Sequence, residues 1–281
     1  MSIENRPYLA SINGHPVTIE EVTPLAFAGF AHFTAMQVRS RKVKGLDLHL
    51  TRLREASIEF FGAAVSDQRM RSYIKAAIDA GPEDQSLTVT VFVRDGEFSG
   101  RGMNTEPEVL VRTGAPAKGP RGPLRLSVVE HERPLAAIKH VGEAGKTWYL
   151  HQAIREGFDD AAFVDRQGRL SEATIWNLVF WDGDAVVWPR AAILHGTMMG
   201  MVQRQLDRLG IAQRHEEITL ERLGDLAGAA VMNSWTPGIA VTAIGGNTIP
   251  EAESFIRLLH RCYEAEPAVS LAVLYQQVSG T

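Results

Sequence analysis

Four short stretches hold side chains whose types and spacing suit covalent chemistry on an amine. The first is Pro134-Leu-Ala-Ala-Ile-Lys139, a lysine behind an uncharged, mostly apolar run. Lysines avoid the interior unless they are paired or put to use. Burial disfavours the ammonium and leaves a nucleophilic amine, the form that condenses with an aldehyde. The plain alternative is a strand-end lysine with its head in water. The second stretch, Asp165-Arg-Gln-Gly-Arg-Leu-Ser-Glu172, sets a carboxylate where a hairpin strand ends. There it can hold the proton of a heteroaromatic ring nitrogen and strengthen the ring as an electron sink. A solvated glutamate is the alternative. The third, Leu194-His-Gly196-Thr197-Met198-Met199, opens a predicted helix. Unpaired N–H groups and the dipole at such an end attract phosphate, and a glycine lets the anion approach. The fourth, His49-Leu-Thr-Arg52-Leu53, puts His49 and Arg52 on one helix face, where the guanidinium fork can grip phosphate. Plain helix ends and surface arginines are as common as functional ones.

Elements of both kinds must position these groups. Residues 8–22 alternate around Asn13-Gly14 and predict a hairpin. Strands are predicted at 33–39, 87–94 and 109–112, and helices at 49–61 and 67–80. Gly114-Ala-Pro-Ala-Lys-Gly-Pro-Arg-Gly-Pro123 packs three prolines and three glycines into an aperiodic stretch. It reads as a crossover loop. The expected domains are therefore residues 1–114 and a larger 124–281 unit carrying Lys139, joined by 115–123. In the second, strands are predicted at 125–130, 161–165, 170–172, 177–181 and 229–233. Helices are predicted at 147–156, 199–209, 220–226 and 251–264. The mix predicts an α/β (α+β) protein with a sheet in each unit.

Composition narrows the function classes. The chain has 281 residues, 45% of them apolar, and a formal charge of −4. That balance offers no electrostatic case for nucleic acid or an anionic membrane. No stretch reads as a signal peptide or a membrane span, so a cytoplasmic protein is expected. Cys262 is the single cysteine and the nine histidines lack ligand spacing, so no metal is expected. Gly142-Glu-Ala-Gly-Lys146-Thr147 ends like a phosphate loop, but His140 stands where the first glycine belongs.

In this order and spacing the signals resemble the class IV pyridoxal-phosphate-dependent aminotransferases, or fold type IV. That family holds branched-chain and D-amino-acid aminotransferases and aminodeoxychorismate lyase. The resemblance runs from Ile12-Asn-Gly to the strand near residue 241. It implies pyridoxal 5′-phosphate as cofactor, joined as an imine to Lys139, which then serves as general base. Arg52 looks like the phosphate arginine and Glu172 like the partner of the ring nitrogen, with Asn177 beside it. Gly196, Thr197 and Met198 look like the phosphate-binding helix start. Asn233-Ser-Trp-Thr-Pro237 resembles a second phosphate-side turn, where Ser234 or Thr236 offers a hydroxyl. A homodimer is implied, with a site between domains completed by the second subunit. Lys146, before Trp148-Tyr149-Leu150, is a rival to Lys139, but its distance to Gly157 is short for that role.

The departures fall where substrate enters. Met198 and Met199 replace a small hydroxyl residue and an arginine, Ala144 stands where branched-chain enzymes place a tyrosine, and Phe30-Ala-His32 replaces Gly-Asp-Gly. Arg101 is the leading candidate for a substrate carboxylate, with Arg39 and His32 behind it. An aminotransferase acting on an amino acid or related amine leads. An aminodeoxychorismate-lyase-like enzyme releasing pyruvate follows, favoured locally by Ile138-Lys-His140 and Gly100-Arg-Gly102. A non-catalytic binding protein of the same fold is the third reading.

Overall fold

The computed structural model describes residues 8–94, 98, 100 and 102–271. The chain forms two compact units: Met1–Ala117, Ile138–Gly142 and Pro267–Thr281 make the first, and Lys118–Ala137 with Glu143–Glu266 the second. The change of unit at Ala117–Lys118 falls within the Gly/Pro-rich stretch. Lys139 was expected with the C-terminal domain, but by contacts its segment counts with the first unit. The Phe33 N–H donates to the Lys139 carbonyl at 2.8 Å and the Val141 N–H to that of Ala31 at 2.8 Å.

The first unit is built on an antiparallel sheet. Its elements are β1 (Ala10–Ile12), β2 (His15–Pro16), α1 (Ile19–Val22), β3 (His32–Arg39), β4 (Lys42–Lys44), α2 (Leu46–Phe61), α3 (Asp67–Ala80), β5 (Gln85–Phe92) and β6 (Glu108–Gly114). The β1–β2 turn uses Asn13 and Gly14, both at positive φ, as a tight hairpin requires. The predicted hairpin stops early. Thr18 and Glu21 form a reciprocal cap that starts α1 instead. Strand β3 alternates along its whole length, burying His32, Thr34, Met36 and Val38 on one face. Met36 and Val38 join the core of α2 and α3, against Leu50, Leu53, Phe61 and Ile74.

In the second unit run β7 (Leu124–Glu130), α4 (Ala144–Arg155), β8 (Asp160–Val164), β9 (Leu170–Ala173), β10 (Asn177–Trp181), β11 (Val186–Pro189), α5 (Thr197–Arg208), β12 (Gln213–Glu216), β13 (Gly228–Asn233), β14 (Thr236–Ile244), β15 (Asn247–Thr248) and α6 (Glu253–Ala265). The order β10-β13-β14-β7-β8-β9 closes on itself because β9 also pairs with β10. Leu126, Leu170, Leu178, Phe180, Val231 and Val241 share its core. The predicted helix at 220–226 is one 3-10 turn, Glu221–Asp225. A last short strand, β16 (Ala268–Val269), returns to pair with β4 in the first unit. Strands β11 and β12 escaped the sequence reading. β11 is buried at every position, so it shows no alternation to detect. No helix among the described residues is long and apolar enough to cross a membrane.

Candidate active site

The strand pair that closes the ring of the second unit, Glu172 opposite Asn177, carries the first expected group. Glu172 is 4% exposed. Its Oε1 accepts the Leu194 N–H at 2.9 Å and the Asn177 amide at 3.5 Å, and its Oε2 accepts Arg133 Nη1 at 3.0 Å. These three donors use three of the roughly four acceptor directions of a carboxylate. The remaining direction fits a ring N–H. Glu172 is therefore a buried, oriented group rather than a solvated strand end.

Asn177 ties this carboxylate to the start of α5. Its amide also donates to the Leu194 carbonyl at 2.7 Å. A Cβ on Gly196 would lie 1.9 Å from Asn177 Oδ1, so only glycine fits beside it. Gly196 is the N-cap of α5 and makes no side-chain cap bond. The first turn of a helix leaves N–H groups without intrahelical partners, and this turn begins with the buried Thr197 and Met198. A cap that is a glycine, on a helix of 12 residues, is a cradle an anion fits.

Arg133 was not anticipated. Its side chain is 3% exposed and it pairs with both Glu172 and Glu143. Glu143 in turn holds the Lys146 ammonium at 3.1 Å. Burial alone would raise the Glu143 carboxyl; the Lys146 and Arg133 charges outweigh it and hold the group below its ordinary range. Lys146, the rival lysine, is thus engaged by a carboxylate in the first turn of α4. The signal for Arg133 was a charge, in Glu132-Arg133-Pro134, just ahead of the apolar run.

The turn between β13 and β14 contains Ser234 and Trp235. The Trp235 N–H donates to Asn233 Oδ1 at 2.8 Å. Thr236 is buried and its Oγ1 accepts the Gly238 N–H at 3.4 Å. Ser234 is half-buried.

In the first unit, Lys139 is half-buried, and its Nζ lies 4.8 Å from the centre of the Phe33 ring. The apolar run before it is not core: Leu135 is 54% exposed at a positive φ, and Ile138 alone of the run is buried. Arg52 is half-buried on α2, and His49 beside it is buried. The His49 Nδ1 meets Thr34 Oγ1 at 2.7 Å. Desolvation, helped by the Arg52 charge, pushes the His49 ring down to about 3. Arg39 donates to the Val38 carbonyl, Gln37 Oε1 and the Ala117 carbonyl, all neutral acceptors. His32 does not suit the substrate role expected of it. It is fully buried against Phe60 and Phe61, and its Nε2 is 2.9 Å from Ser57 Oγ. Arg101 lies outside the described residues.

The fold of the chain is shared with known proteins. The chain is similar to a branched-chain aminotransferase of Thermoproteus uzoniensis at 18% identity and a TM-score of 0.80, covering 92% of this chain and 94% of that one. It is similar to the branched-chain aminotransferase of Escherichia coli at 17% identity and a TM-score of 0.78, over 92% and 94%. A Legionella pneumophila protein provisionally described as 4-amino-4-deoxychorismate lyase matches at 19% identity and a TM-score of 0.76, over 84% and 91%. These likenesses show the fold, which is fold type IV. No curated protein sequence matches the chain. The family model of class IV aminotransferases matches residues 31–244, a span from Ala31 on the edge of β3 to the end of β14 that takes in Lys139, Glu172 and Gly196. The chain belongs to the class IV aminotransferase family.

Proposed function

We propose that this protein is a pyridoxal-phosphate-dependent transaminase of an amino acid or related amine. The observation that carries the reading is Glu172, buried, fixed by three donors and keeping one acceptor direction. When bound, the cofactor supplies an electron sink that makes the hydrogen beside the substrate amine acidic. The chain's own residues do the rest. In the second unit, Glu172 accepts the ring N–H, and the N–H groups of Thr197 and Met198 hold phosphate at the α5 start. Ser234 or Thr236 offers the phosphate a hydroxyl, since accepting the Gly238 N–H leaves the Thr236 O–H to donate. Asn177 orients Glu172 and the loop before Gly196.

In the first unit, Lys139 is the attachment point. Its Nζ, once released, would take the proton from the substrate carbon and deliver it on the far side of the substrate nitrogen, the shift that transamination requires. Arg52 is the proposed phosphate arginine. Arg39 is the proposed grip for a substrate carboxylate, because its three acceptors among the described residues are neutral. The protein is proposed to act as a homodimer. Helix α4 supports this, since it exposes Trp148 and Ile154 while burying only Lys146 and Ala153.

The purified protein should be yellow, and borohydride reduction followed by peptide mapping should place the label on Lys139. A protein that takes up no added pyridoxal phosphate would sink the reading. The likeness to the Legionella pneumophila protein supports a second reading, pyruvate-releasing lyase. Pyruvate formed without any keto-acid acceptor would favour it.

A further inference from the structure

A second buried carboxylate of this unit takes no part in the chemistry above. Asp160 opens β8 and is 4% exposed. Its Oδ1 accepts the Ala161 N–H at 2.7 Å, the Thr174 N–H at 3.2 Å and the Thr174 hydroxyl at 2.7 Å. Its Oδ2 accepts the indole N–H of Trp176 at 2.8 Å. None of these donors is a cation. A buried carboxylate is costly unless its oxygens are satisfied, and bonds to an ionised acceptor are the stronger kind. Three of the four donors come from Thr174 and Trp176, in the turn between Glu172 and Asn177. Asp160 thus clamps that turn from behind.

The clamp reaches further. The Trp176 ring meets the Trp235 ring edge-on, with centres 5.9 Å apart and planes at 85°. Trp235 lies in the turn of Ser234, and Asn233 Nδ2 from the same turn reaches the Ile175 carbonyl at 3.5 Å. The two turns are therefore joined by a ring contact and a long hydrogen bond, and one of the joining rings is held by Asp160.

We propose that Asp160 is a positioning residue for cofactor phosphate: through Trp176 and Trp235 it sets the Asn233–Thr236 turn and with it the affinity for pyridoxal phosphate. This rests on the functional reading above. In Asp160→Asn, an amide NH2 replaces one oxygen and faces either the Trp176 N–H or the Thr174 donors. One side of the clamp must turn away.

The test compares wild type, Asp160→Asn, Trp176→Phe, the double variant and Trp235→Phe. Two indoles this close give an exciton couplet in circular dichroism, which Trp235→Phe identifies by removing it. The couplet should collapse in Asp160→Asn without any cofactor present. The Kd for pyridoxal phosphate, read by absorbance, should rise tenfold or more in Asp160→Asn and in Trp176→Phe. The double variant should be no weaker than the worse single one, because the carboxylate acts through the missing N–H. An intact couplet, a Kd within twofold of wild type, or multiplicative losses would each overturn the proposal. If Asp160→Asn does not fold, Trp235→Phe decides, since it leaves the bonds to Asp160 in place: an unchanged Kd overturns the proposal. A wild type that binds no cofactor defeats the functional reading and the affinity claim, while the couplet still judges the link between the turns.

Discussion

Glu172, Arg133 and Gly196 show how much depends on single atoms. Arg133 sits between two carboxylates with almost no exposure. Removing one partner of a buried ion pair strands the others, which costs on the order of 3–5 kcal/mol. Arg133→Met should therefore lower the unfolding free energy by about that much in urea titrations. It should also weaken pyridoxal phosphate binding, because Glu172 Oε2 loses its anchor. Gly196→Ala adds a methyl where Asn177 Oδ1 stands. Overpacking of this kind costs about 1–3 kcal/mol, and Asn177 must move. The expected result is a folded protein with a clearly raised Kd for pyridoxal phosphate. A normal Kd would remove the α5 start from the site.

Among elements, α2 on β3 is the most pH-sensitive joint. Two histidines span it: His32 of β3 meets Ser57 of α2, and His49 of α2 meets Thr34 of β3. Desolvation lowers both rings from 6.5 to about 3. The unfolded chain therefore binds protons that the folded one refuses between those values. The contribution of these two rings to stability is complete above pH 6.5 and falls with pH below it, by roughly 1 kcal/mol per pH unit for each ring. His49→Gln keeps a polar partner for Thr34 but cannot titrate. Its unfolding free energy should decline less steeply from pH 6.5 to pH 5, by roughly 1 kcal/mol per pH unit, measured by urea unfolding. An unchanged slope would mean the ring is already charged in the folded protein. Arg52, the proposed phosphate arginine, follows His49 on α2, so under that proposal acid loosening of α2 should also cost phosphate affinity.

For the whole molecule, the proposed dimer makes the clearest demand. Helix α4 leaves Trp148 58% and Ile154 56% exposed. In the proposed dimer a partner surface covers the Trp148 ring. Trp148→Glu places a charge there and should shift sedimentation from dimer to monomer. A wild type that sediments as a monomer at micromolar concentration would remove the dimer from the functional reading.

The sequence alone determined the order of most elements, because their signals are local. The Asn13-Gly14 turn, the alternation of β3 and the glycine that ends α2 each need only neighbouring residues. Through the order and spacing of its motifs it also marked Lys139, Glu172, Asn177 and Gly196 by resemblance, and the family match covers that span. Tertiary structure decided the rest. Arg133 and Asp160 carry no local signal of a role, and only chain closure brings them to Glu172 and Trp176, 39 and 16 positions away. His32 read as a polar group near the entrance, yet the inward face of β3 buries it. Burial and long-range hydrogen bonds depend on which faces meet, and no local pattern carries that information.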